Sequence, residues 1–130
     1  MVHRPANEYD PRYLRGIEQF NRRRYFDSHE IWEGLWIAET GPGRSFYKGL
    51  IQAAVALHHL DRGNAHGAIK LLRRSRRYLE PFRPRYLGLE IEGFLTSLER
   101  FVEWKLAGRR CAAESPPEIR LVNPPNLKNI

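Results

Sequence analysis

From Gly49 to Leu57 the chain reads Gly-Leu-Ile-Gln-Ala-Ala-Val-Ala-Leu. Wound at helical pitch, those apolar side chains go nearly all the way round, and a helix without a polar face has to be surrounded. Nine residues interrupted by Gln52 fall short of the roughly 18 to 20 apolar residues that span a bilayer, so the surroundings must be other helices. The chain is 130 residues long, a length at which natural domains hold one core. Its 42% hydrophobic and 12% aromatic content fills such a core and excludes wholesale disorder.

The flanking segments carry matching amphipathic stripes. The predicted fold class is all-α: a single bundle of about five helices over residues 1–112, followed by an extended, proline-rich tail over 113–130. The first helix runs from about Pro11 to Arg23, with proline in its first turn and Tyr13, Leu14, Ile17 and Phe20 as its apolar stripe. The second, about Ser28 to Glu39, starts on a capping-box pattern of Asp27 with Glu30, bracketed by Phe26 and Ile31 as a hydrophobic staple. Gly41-Pro42-Gly43 then breaks the chain. The central helix spans about Ser45 to Arg62. Gly63 stops it and Asn64 caps the next, so these two helices are expected to form an antiparallel hairpin. The fourth helix spans about Ala65 to Leu79 and ends before Pro81-Phe82-Arg83-Pro84. The fifth, about Leu89 to Ala107, has Ile91, Phe94, Leu95, Leu98, Phe101 and Val102 on one face and Gly108 as its stop. Pro116, Pro117, Pro124 and Pro125 keep the remainder from being helical, and Glu118 to Val122 reads as extended.

A single cysteine, Cys111, rules out an internal disulfide and any cysteine-based zinc cage, and it reads as an ordinary free thiol in a reducing compartment. The first residues lack the apolar core of a secretory signal. The expectation is therefore a cytoplasmic protein with no membrane partner. The glycine-rich phosphate loops and the nucleophile-elbow pattern are absent from the sequence.

The chemistry-bearing stretch is His29-Glu30-Ile31-Trp32-Glu33-Gly34-Leu35-Trp36. At helical spacing His29 and Glu33 share a face, and an imidazole beside a carboxylate can hold a divalent metal or act as an oriented base. On the central helix Lys48, Gln52 and His59 form a narrow polar file, whereas His58 points about 100° away beside Ile51. If the two files face each other, His29, Glu33, Gln52 and His59 converge between helices, ringed by Trp32, Trp36 and Tyr25. The candidate metal ligands are His29, Glu33 and His59, and Lys48 would take an anionic group of a small ligand, with hydrolysis as one outcome. Structural roles stand beside these: Glu30 as capping partner, Lys48, Gln52, His59 and Arg62 as a solvent face, His29 paired with Glu33 as a satisfied hydrogen bond that anchors two helices, and the two tryptophans as core. His-Glu-x-x-Glu also lacks the second histidine of the zinc-protease pattern.

A second reading rests on charge. The net charge is +7, and Lys70, Arg73, Arg74 and Arg77 repeat at i, i+3, i+4, i+7 on the outer face of the fourth helix, continuing toward Arg83 and Arg85. Arg22-Arg23-Arg24 adds a further cluster. Such a surface suits a non-enzymatic interaction module that holds nucleic acid or an acidic partner.

Three blocks stand in order: Phe20-Asn21-x-x-x-Tyr25-Phe26-Asp27-x-His29-Glu30-x-Trp32-Glu33-x-x-Trp36, then Lys48-Gly49-Leu50-Ile51-Gln52-x-Ala54-x-Ala56-x-His58-His59, then Gly63-Asn64-x-x-Gly67-Ala68. Over about residues 11 to 80 the chain thereby resembles a bacterial and archaeal family of unknown function catalogued under the number 309. The resemblance implies a small all-helical bundle and singles out these positions without implying a reaction. Asp27 stands where the family pattern has Glu.

Overall fold

The computed structural model describes residues 9–108 and 115–121. Asp10 opens the first helix, its side chain accepting the backbone N–H of Arg12, with Pro11 in the first turn, where a missing N–H costs nothing. Five α-helices follow one another: α1 (Pro11–Asn21), α2 (Tyr25–Ala38), α3 (Gly43–Asp61), α4 (Ala65–Leu79) and α5 (Ile91–Leu106). The all-helical class and the five-helix bundle are as the periodicity predicts. α3 is buried along most of its length and packs chiefly against α2 and α4, while α1 leans on α2. No helix among the described residues is long and apolar enough to cross a membrane.

Two close approaches set the packing. A Cβ on Gly16 would collide with the indole ring of Trp32, so only glycine lets α1 seat against α2 there. Trp32 donates to the Tyr13 carbonyl at 3.3 Å and Ser28 donates to the Gly16 carbonyl at 3.0 Å across the same contact. Between α3 and α4, Gly49 abuts Leu79 and its carbonyl accepts a 2.8 Å hydrogen bond from the buried Ser75 hydroxyl. The hairpin turn is as read from sequence: Gly63 sits at φ 80° and Asn64 caps α4 by accepting the Gly67 N–H.

The start of α2 differs from expectation. The helix begins at Tyr25, no side chain caps it, and Asp27 lies inside the first turn, so the Asp27–Glu30 box does not form. The cause is the turn before it, where Arg23 adopts φ 65° and Arg24 N–H reaches back to the Gln19 carbonyl. Starting there buries the Tyr25 ring against Phe20 at 5.3 Å. Burying such a ring is worth about 1.5–3 kcal/mol, whereas a cap contributes about 1. Phe26, the expected staple, is 49% exposed.

A short antiparallel hairpin, β1 (Arg85–Tyr86) and β2 (Leu89–Glu90), precedes α5 and shortens its start from the expected Leu89 to Ile91. Its turn places Leu87 at φ 46° and Gly88 at φ 80°, and the Tyr13 hydroxyl donates to the Leu87 carbonyl at 3.0 Å. α5 is tied to α4 by Arg76, which meets Glu99 at 2.7 Å, Glu80 at 2.6 Å and Glu92 at 3.4 Å. Residues 115–121 carry no helix or strand, and Ile119 is 2% exposed. Its N–H donates to Asn21 Oδ1 at 2.8 Å, and Asn21 Nδ2 donates to its carbonyl at 3.0 Å. Cys111 lies outside the described residues.

Candidate functional site

Two clusters of side chains lie along the seam where α2 packs on α3. At one, Trp36 of α2 carries two cations from α3: the Arg44 guanidinium carbon lies 4.0 Å from the ring centroid and Lys48 Nζ 4.5 Å. Arg44 Nε also donates to the Trp36 carbonyl at 3.0 Å. Neither cation meets a carboxylate among the described residues. At the other the half-buried His29 has Nδ1 2.8 Å from the Phe26 carbonyl oxygen. Only an N–H can approach a carbonyl so closely, so Nδ1 carries a proton and, in the neutral ring, Nε2 presents a lone pair. That Nε2 lies 4.0 Å from Glu33 Oε2, which sets two acceptors facing each other.

Phe26 packs against His29 at 4.9 Å and against His58 of α3 at 5.5 Å. His58 is held below its ordinary 6.5, first by burial and then by Arg62 and His59, with Asp61 pulling the other way. The histidine that α3 offers to α2 is thus His58, not His59. His59 turns to the α3–α4 corner, where its Nδ1 lies 3.2 Å from the Asn64 side-chain nitrogen. The misreading has a visible origin: Arg44, Lys48, Ile51, Val55 and His58 repeat at i, i+4, i+7, i+11, i+14, which is the stripe a neighbouring helix covers. Lys48 belongs to that stripe and to the polar file at once. Arg44 and His58, both absent from the sequence-based candidate set, follow from it.

Gln52 is 9% exposed, and its Oε1 is enclosed without a hydrogen-bond partner, which is costly for an amide oxygen. Trp32 is wholly buried against Gly16 and Phe20 and is core. Tyr25 likewise faces the α1 core, where burial, helped by Asp61, pushes its hydroxyl up to about 12. The proposed metal set of His29, Glu33 and His59 does not assemble: among the described residues no three His, Cys, Asp or Glu side chains come together as a metal site. The rotation of His59 toward Asn64 is the reason.

On α4, Lys70, Arg73, Arg74 and Arg77 line a shallow cleft with His66 and Ile69, and none of the four cations has a carboxylate partner among the described residues. Arg83 and Arg85, expected to continue the stripe, pair instead with Glu92 at 3.6 Å and Glu90 at 3.9 Å.

Among curated proteins, the chain is similar to one described as "Uncharacterized protein YpuF" from Bacillus subtilis (strain 168), 38% identical over 74 residues. That stretch is 55% of this chain and 42% of the relative, so the chain spans less than half of the relative's length. The resemblance read over about residues 11 to 80 agrees with a family match: residues 13–71, from α1 into α4, match the family model described as Domain of unknown function (DUF309).

Proposed function

We propose that the α2–α3 seam binds a small organic anion that also carries a hydrogen-bond donor. The observation behind this reading is the pair of cations, Arg44 and Lys48, held over Trp36 with no carboxylate to balance them among the described residues. An anionic group would relieve their repulsion and gain charge-assisted hydrogen bonds from both. Seven residues along α2, about 10 Å at helical rise, separate Trp36 from His29, where two acceptors await a donor. The buried, unpartnered Gln52 oxygen lies on the same helix as Arg44 and Lys48.

A divalent cation is the second reading, favoured by the His29 tautomer, because a ligating imidazole characteristically gives its other N–H to a backbone carbonyl. His29 and Glu33 supply two ligands, short of the three that catalytic zinc sites draw from protein. A metal here therefore needs ligand oxygens to complete its shell, and no hydrolytic step is assigned.

The test is an NMR and tryptophan-fluorescence titration with inorganic phosphate and with 6-aminohexanoate, whose ammonium and carboxylate ends suit the two clusters. Wild-type protein should shift at Trp36 with both, more strongly with 6-aminohexanoate. The double variant Arg44→Gln, Lys48→Gln should lose both responses, and adding zinc should enhance phosphate binding only while His29 is present. Silence of Trp36 up to ~10 mM of either probe, a free energy weaker than roughly −3 kcal/mol, would remove this reading.

A further inference from the structure

We infer that the outer face of α4 is a docking surface for the phosphate backbone of duplex DNA, read without regard to base sequence. Lys70, Arg73, Arg74 and Arg77 stand on one face, and with His66 and Ile69 they line a cleft of about 480 Å³. Like charges at i, i+3 and i, i+4 repel each other, and none of the four has a carboxylate partner among the described residues. The same helix shows what a structural arginine looks like: Arg76, one position from Arg77, is satisfied by Glu80, Glu92 and Glu99. The nearby acids are spent on that flank, and the outer flank is left uniformly positive.

The lining decides among polyanions. A protein partner needs an apolar centre to its interface, and the cleft offers Ile69 alone. A membrane would take an apolar helix face, but that of α4, with Ala68 and Leu79, is already buried in the bundle. Single strands are held by stacking on aromatic rings, and duplex RNA by contacts to its 2′-hydroxyls. The cleft lining contains no aromatic ring beyond the His66 imidazole, and no hydroxyl or amide side chain. What is left is a row of cations, which is what a duplex backbone requires. From Lys70 to Arg77 is about 10 Å of helix, and at ~3.4 Å per nucleotide along a strand that run faces about three phosphates.

The experiment is fluorescence anisotropy of the full chain with a labelled mixed-sequence DNA duplex across a salt series. Counterion release from about three phosphates gives a slope of log K against log salt near −3. The double variant Arg73→Gln, Arg74→Gln, at exposed positions, should melt like wild type, bind more than about tenfold more weakly and flatten the slope by about 2. Arg83→Gln with Arg85→Gln, where each arginine already has a carboxylate, should leave affinity unchanged. Absence of binding at low salt, undiminished binding by the α4 variant, or tighter binding to single-stranded DNA, duplex RNA or polyglutamate would each overturn the assignment.

Discussion

His58, rather than His59, is the α3 imidazole that meets α2 through Phe26, and its surroundings lower its pKa. Burial lowers its pKa below 6.5, Arg62 and His59 from its own helix lower it further, and His29 of α2 adds to them against Asp61. Because the folded ring gives up its proton more readily than the unfolded one, the unfolded chain binds more protons in the window just under 6.5. The contribution of His58 to stability is therefore complete above that value and lost as pH falls through the folded pKa. Replacing it by glutamine should reduce the gap between melting temperatures measured at about pH 7.5 and about pH 5. An equal acid loss in wild type and His58→Gln would show that this imidazole is not what the seam penalises when charged.

At the scale of elements, one guanidinium of α4 meets two carboxylates of α5. Arg76 is kept even more firmly protonated than an ordinary arginine, first by its hydrogen bonds to Glu99 and Glu80. Hydrogen bonds to charged groups are worth about 1.5–3 kcal/mol, so Arg76→Met should lower the free energy of urea unfolding by about 1–3 kcal/mol. Arg77→Gln, a neighbour on the unpaired flank, should stay within about 0.5 kcal/mol. Equal effects of the two would leave α5 held by its apolar face alone. The helices themselves were legible, because Tyr13, Ile17 and Phe20, and Phe94, Leu98 and Phe101, repeat at helical spacing and are buried. The β1–β2 hairpin was not, since two residues per strand are too few to show an alternating pattern and Leu87 is an unusual residue for a left-handed turn position. In the candidate site, Lys48, Trp36, His29 and Glu33 were found from spacing, whereas the rotation of α3 that chooses His58 over His59 depends on the Asn64 turn and on which stripe α2 covers. Spacing along one helix does not carry that choice.

For the whole molecule, the segment 115–121 closes over α1 through both faces of one amide. Asn21 accepts from and donates to the Ile119 backbone, and each such bond is worth about 1 kcal/mol net. Asn21→Ala should therefore free this segment with the bundle intact. Hydrogen exchange at Ile119 should rise well beyond that of α3, with a loss of global stability of about 1–2 kcal/mol. Unchanged protection at Ile119 would mean that its buried side chain alone holds the segment. The DUF309 match ends at residue 71, before α5 and before this segment, yet Phe94 of α5 packs on Phe20 of α1 at 5.8 Å. The bundle core thus extends past the matched region.

The division of α4 into a neutralised flank at Arg76 and a bare one at Lys70, Arg73, Arg74 and Arg77 has an outcome that no single contact expresses. A body charged unequally on two sides has a heading: within a Debye length of about 10 Å of any extended negative object it experiences a torque before it experiences a touch. The flank of α4 that carries Lys70, Arg73, Arg74 and Arg77 is the side of that helix which such an object draws in first.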